Sequence, residues 1–385
     1  MPGTHALLSP SAAHRWLNCT AAPRLEEGIT DNGSTFAEEG TLAHAYCAKH
    51  LKEFLGIAVD EELQEIEQLN ETYHTGEMDE YTETYKTIVL EKFNAARAKT
   101  ADAQLLVEVK LDFSEWMPEA FGTADAVIIA DGTMEIIDFK YGKGVKVSAV
   151  ENPQMKIYAL GAYNQFSFEY NIERVRMTIV QPRIDNLSEY ELAAADLLAW
   201  AKYILQPKAK EAFGKDGQQK PGVWCQFCKI KASCRALANL TFAAVSEHQE
   251  PRTITPDEMA TKILPMLDTI KTWVKGVDEY TLEQALSGTK YQGYKLVAGR
   301  SVRKITNPEA VMAALAKNYS EAAYIKPKEL KTITELEKII GKKAFAAICG
   351  EWIDKPQGKP TLVPESDKRQ ELDTDCFSNT DFSEN

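Results

Sequence analysis

Apolar and polar positions along the chain change period several times, and each change marks an element. Residues 37–55 (AEEGTLAHAYCAKHLKEFL) set Leu42, Ala45, Tyr46, Leu51 and Leu55 at helical spacing. Residues 59–100 are acidic and periodic and predict two helices broken near Gly76. The period then shortens to two: residues 104–112 (QLLVEVKLD) alternate, which predicts a strand. Runs 122–130 (GTADAVIIA) and 133–140 predict two more strands, paired across Asp131-Gly132, a strong hairpin signal. A helix is expected over 151–165, then a strand over 173–181 that Pro182 stops. Residues 188–213 read as a helix and 256–287 as a long one, with shorter helices near 307–318 and 332–348. No internal repeat is visible.

Helix, three strands, helix, strand is an α/β order. The strand–helix–strand passage requires a crossover, so the sheet should be mixed, with helices packed on it. The expected organisation is a core domain over 1–240, a helical connector over 241–288, a small basic α-rich region over 289–354 and a flexible tail over 355–385.

The 385 residues are 44% hydrophobic and 26% charged, ordinary for a globular protein. No apolar run approaches the roughly 20 residues that span a bilayer. The opening segment, MPGTHALLSPSAAHRWLNC, lacks the apolar core of a signal peptide. The expectation is a cytoplasmic protein with no membrane partner. A net charge of −13 speaks against nucleic acid. The charge is uneven, however: residues 60–92 are crowded with Glu and Asp, whereas 286–348 hold 12 Lys/Arg against 5 Glu. Lys140, Lys143 and Lys146 cluster in the middle of the chain, and Lys229, Lys231 and Arg235 flank the late cysteines. A net acidic chain can still present a basic groove.

The hairpin carries candidate chemistry. Asp125 lies on its first strand, and Asp138 and Lys140 lie two apart near the end of its second, on one side. Phosphodiester hydrolysis needs an in-line water and a stabilised leaving oxygen, which carboxylate-held divalent metals supply. Lys140 would orient the water or offset charge on the phosphate. Asp-x-Lys alone is a weak signal, since strand-end Asp and solvated Lys are common. Here Asp138 ends the apolar run from Met134, where an acid needs a partner. Gln154 and Tyr158, four apart, share a face of the following helix and could reach a phosphate or a base. His44 on the early helix is a candidate third ligand that would favour Mn²⁺ over Mg²⁺, and Glu108 is a weaker candidate.

Cys225, Cys228 and Cys234 form C-x2-C-x5-C, which is ligand spacing. A fourth ligand is missing locally, and Cys19, in an ordered-looking Pro/Asn/Arg context, is the best candidate. Such a clip would close a loop of some 200 residues, where a covalent tie stabilises most in theory. Spacing leaves zinc, an iron–sulfur cluster and unliganded thiols open. Cys47, Cys349 and Cys376 stand alone.

Taken in order, these pieces resemble a known group. They are a Ser-Pro-Ser … Cys-x-x-x-Pro-Arg opening, Gly-x-x-x-His, Gly-x-x-Asp, Asp-x-Lys, Gln-x-x-x-Tyr and a late cysteine trio. Over roughly residues 5–240 the chain resembles the RecB-like branch of the PD-(D/E)XK nucleases, in particular the iron–sulfur members such as the AddB nuclease domain and the CRISPR-adaptation nucleases. The resemblance implies a restriction-endonuclease-like core and metal ligation by His44, Asp125 and Asp138 with the Phe139 carbonyl. It makes Lys140 catalytic, puts Gln154 and Tyr158 on DNA, and implies a [4Fe–4S] cluster on Cys19, Cys225, Cys228 and Cys234. Cleavage of single strands or ends to 5′-phosphate products would follow. The whole chain is also similar to a family common in phages and prophages, which points to replication or recombination in a bacterial host cell. Many relatives are fused to a helicase, but no G-x4-G-K-[ST] loop is present, so a motor or recombination protein would be a separate partner.

Overall fold

A computed structural model describes residues 6–29, 35–246, 255–299, 304–326, 329–354, 358–364 and 370–372. The early periodic segments form three helices, α1 (Thr35–Leu55), α2 (Asp60–Tyr73) and α3 (Gly76–Arg97). Strands β1 (Gln104–Asp112), β2 (Phe121–Ala130) and β3 (Gly132–Phe139) follow, then helix α4 (Pro153–Phe166) and strand β4 (Ile172–Gln181). The β2–β3 turn places Gly132 at φ 78°, a conformation a side chain would resist.

The region expected to be one helix over 188–213 divides. Asn186–Ala193 is a strand, β5, and only Ala194–Trp200 (α5) onward is helical, through a π segment Ala201–Leu205 into α6 (Gln206–Phe213). The Leu, Glu and Ala of this segment favour a helix in isolation. Pairing with β4 overrides that preference, and Arg174 and Arg176 on β4 meet Glu191 across the ladder.

The five strands form one sheet in sequence order, antiparallel except for β3–β4. The parallel pair is bridged by α4, the expected crossover. One face buries Met134, Ile136, Val175 and Met177 under α4 and α5–α6, with Leu8 and Trp16. The other buries Ala126, Ile128, Ile137 and Phe139 under α1 and α3. The result is a mixed α/β architecture with helices on both faces, as the sequence pattern predicts.

Side-chain alternation reverses at one rung. On β1, Leu105 and Val107 pack on the α1–α3 layer, but beyond Glu108 the odd-numbered Val109 and Leu111 pack on the α4 layer. On β2, Ala126, Ile128 and Ala130 face α1–α3, whereas Ala124 faces α4. The pairs Val107↔Ala126 and Val109↔Ala124 put Glu108 and Asp125 on the rung between, and Glu108 has φ 52°. A non-glycine residue in that region is strained, and such strain gathers at functional sites.

The chain divides into two compact units, Met1–Trp273 and Val274–Asn385, with the division inside helix Leu264–Leu286. The second unit has its own core of Val311, Leu315, Tyr324, Leu336, Phe345 and Cys349. It includes helices Pro308–Leu315, Ile333–Ile340 and Lys342–Cys349, and Tyr294–Gly299 pairs antiparallel with Gly358–Pro364. Part of the segment expected to be a flexible tail is therefore strand, its Thr-Leu-Val run adding to an available edge. Cys376 and most of the tail lie outside the described residues. Among those residues no helix is long and apolar enough to cross a membrane.

Candidate functional site

The β2–β3 ladder ends at Ala126↔Ile137. The next rung would set Asp125 against Asp138. Instead the strands part, and the Phe139 N–H donates to Asp125 Oδ2 at 2.7 Å. Asp125 Oδ1 lies 3.3 Å from Nδ1 of His44, brought by α1. The His44 ring also packs edge-on against Phe139, with centroids 5.3 Å apart. Burial alone would lower the His44 pKa, but the Asp125 carboxylate, its hydrogen bond and Asp138 lift it to about 9.

Asp138 is 4% exposed. Lys140 Nζ lies 3.1 Å from its Oδ2, at an angle that makes no hydrogen bond, so that buried oxygen has none. Its Oδ1 receives long bonds of 3.4 Å from Lys140 and from Gln154 Nε2. Lys140 is in turn held by Gln154 Oε1 at 3.1 Å. The carboxylates split: burial raises Asp138, with the neighbouring Asp125 charge adding to it, while His44, the Phe139 amide and Lys140 outweigh burial and lower Asp125.

Gln154 reaches this pair because α4 starts where it must. Asn152 caps the helix, accepting the N–H groups of Gln154 and Met155 at 3.0 and 3.3 Å, and Pro153 fits the first turn. Gly161 on α4 permits its close approach to β1–β2, since a Cβ there would fall 2.5 Å from Phe113. Tyr158, 9% exposed, packs on Phe113, on the same face of the helix as Gln154. Glu108, weakly signalled by sequence, belongs to the cluster: burial and the Asp125 charge push its carboxyl up to about 7. No periodicity could reveal the kink that brings it in.

Among the described residues, no three His, Cys, Asp or Glu side chains already stand around one point as a metal's ligands. The donors engage one another: His44 holds Asp125, and Lys140 and Gln154 hold Asp138. The donor set of one imidazole and two carboxylates, with an orphaned buried oxygen on Asp138, fits a divalent cation that would take over those contacts.

The four cysteines singled out in the sequence line one small cavity with Leu25, Pro221 and Ile230. The N-terminal segment is strapped to the late loop on several sides. Thr20 donates to Glu211 at 2.7 Å and accepts the Gln218 N–H at 2.8 Å. Gly217 passes so close that a Cβ would meet the Thr20 backbone at 2.5 Å. Arg15 pairs with Glu26 at 2.8 Å and reaches the Phe227 carbonyl at 3.0 Å, while Glu26 accepts the Lys229 N–H at 2.7 Å. Backbone N–H groups of Lys220 and Gly222 point at the Cys19 and Cys225 sulfurs, each at 3.4 Å. Burial, then Glu26, pushes the Cys228 thiol up to about 12. Four sulfurs with amide donors fit a thiolate-bound metal. Cys47 and Cys349 are buried elsewhere, in the α1–α3 layer and in the second unit's core.

Fold and site together define a mixed α/β protein with a buried carboxylate–lysine–histidine cluster and a separate cavity lined by four cysteines. The chain belongs to the family described as "Protein of unknown function (DUF2800)", which matches residues 5–370. Among solved structures it is similar to "Crystal structure of SSO0001", at 14% identity over 58% of this chain and 96% of that one. The TM-score of 0.24 is too low for that likeness to bear on the fold.

Proposed function

We propose that the protein is a metal-dependent DNA nuclease of the RecB-like PD-(D/E)XK type, acting on single strands or ends in phage DNA replication or recombination. The observation that carries this reading is the meeting of His44, Asp125, Asp138 and Lys140 at one strand end, with an Asp138 oxygen buried and lacking a hydrogen bond. Mg²⁺ or Mn²⁺ held by His44, Asp125 and Asp138, with the Phe139 carbonyl, would polarise the phosphodiester and activate water. Lys140, steadied by Gln154, places a cation where charge builds on the phosphate. Gln154 and Tyr158, on one face of the helix beside the cluster, would meet the DNA. The cysteine cage would hold a [4Fe–4S] cluster, with zinc the other candidate for four sulfurs, and would clamp the chain's early segment to the far end of the domain. A helicase or recombination protein would act as a separate partner.

The test is cleavage of end-labelled single- and double-stranded DNA with Mn²⁺ or Mg²⁺, wild type against Lys140→Ala. Metal-dependent cutting lost in the variant is expected, and the product ladder gives polarity. A folded wild type that cuts neither substrate overturns the reading, leaving a DNA-binding accessory protein with an idle site. If it also binds no DNA, a zinc-stapled structural protein remains.

A further inference from the structure

The segment after Lys140 is irregular yet firmly held. Residues 141–150 form neither helix nor strand, but side chains from the β4–β5 turn pin their backbone. Gln181, 1% exposed, donates from Nε2 to the carbonyls of Gly142 at 2.5 Å and Val145 at 2.9 Å, and its Oε1 accepts the Val147 N–H at 3.1 Å. Asn186, also buried, donates to the Val147 carbonyl at 2.8 Å and to Gln181 Oε1 at 3.1 Å. Ser188 Oγ accepts the Ala149 N–H at 2.9 Å. Buried amides are costly unless satisfied, and the partners of this pair are the loop and each other, so the loop is fixed in one shape.

Lys143, Val145 and Lys146 are exposed on this loop. Basic residues close by in sequence or space are already matched: Lys140 by Asp138, Lys156 by Glu151 at 2.5 Å and Arg183 by Glu39 at 3.2 Å. Lys143 and Lys146 have no carboxylate partner among the described residues. From chain length, the Cα of Lys143 lies within about 11 Å of that of Lys140, and the Cα of Lys146 within about 23 Å. Two unmatched cations are thus carried on a pinned backbone that begins directly after Lys140. A surface set in advance loses little entropy on binding, and a strand of phosphates offers repeated anions.

We propose that loop 142–149 is a rail for the phosphate backbone of the strand being cut, with Lys143 and Lys146 each pairing a phosphate beside the scissile bond. This rests on the nuclease reading above and adds where the strand runs.

The test is single-stranded oligonucleotide binding by fluorescence anisotropy across a potassium chloride series, with Asp138→Asn as a cleavage-silent parent. Adding Lys143→Ala and Lys146→Ala should weaken binding about 10-fold at low salt. It should also flatten the slope of log affinity against log salt by about 1.4, two phosphates at roughly 0.7 each for a single strand. Lys143→Arg with Lys146→Arg should keep the parent's slope. A parent that binds while the double alanine variant matches it in affinity and slope overturns the rail and leaves the nuclease reading standing. A parent that binds no DNA, alongside a wild type that cuts none, overturns both.

Discussion

The Phe139 amide donates to Asp125 Oδ2 at 2.7 Å, so the strand that bears the second carboxylate also anchors the first. The two acids are spaced by a bond in the backbone of the site itself. Asp125→Asn keeps an acceptor for that amide and loses the charge. It should fold with near wild-type stability and lose metal-dependent cleavage by about 10²-fold or more. Asp125→Ala leaves the amide without a partner and should cost a further ~1–3 kcal/mol in urea denaturation. Equal stability of the two variants would show that the bond does not matter to the fold.

Glu108 is held at φ 52° beside Asp125, with burial and the Asp125 charge raising its carboxyl to about 7. Glu108→Gly removes both the steric strain and the acid. Thermal melts should show a gain of about 1 kcal/mol, and end-labelled cleavage should fall. A variant that loses stability would mean that the kink is needed by the sheet rather than by the site.

The cysteine cage is expected to bind metal as a unit. Replacing any one of Cys19, Cys225, Cys228 or Cys234 by Ala should abolish bound iron or zinc by elemental analysis and lower the melting temperature. Cys349→Ala should retain the full metal content. Broad absorbance near ~400 nm in the wild type would assign iron–sulfur over zinc.

At the outer edge of the sheet, Glu191 accepts from Arg176 at 2.7 and 3.0 Å and from Arg174 at 2.5 Å, and these bonds hold its carboxyl below the ordinary range. A depressed folded-state pKa stabilises the fold above the unfolded value of about 4.3 and is lost as pH falls through the folded value. Glu191→Gln should therefore destabilise by at most about 1 kcal/mol near neutral pH, and the difference should shrink as pH falls below the unfolded value. Urea midpoints of the two proteins that stay equally far apart from pH 7 to pH 3 would contradict this.

The hairpin, its two aspartates and the crossover helix were legible because they depend on local period and turn chemistry. Asp131-Gly132 sets the register, and that register brings Asp125 opposite Asp138, one rung beyond the last pair, Ala126↔Ile137. Strand β5 was not legible, since its Leu, Glu and Ala content favours a helix and only pairing with β4 makes it a strand. Nor was the position of Glu108, because a reversal of facing at one rung leaves no trace in the alternation of QLLVEVKLD. The gathering of Cys19 with the late trio could be reasoned from chemistry, but the Thr20–Gln218 contact that helps bring it about joins residues 198 positions apart, and the Arg15–Glu26 pair joins two short helices 11 positions apart, neither of which leaves a periodic signal.

That strap also sets a clock on synthesis. Thr20 and Arg24 leave the ribosome long before Glu211, Phe213 and Gln218, the residues that receive them. At 5–20 residues per second the wait is about 10–40 s. Throughout it Leu8 and Trp16, both fully buried in the finished domain, have no complete core to enter. The nascent chain thus carries an apolar segment at its leading part whose core is complete only once the helix ending at Phe213 has emerged, so the order of synthesis runs opposite to the order in which this layer can close.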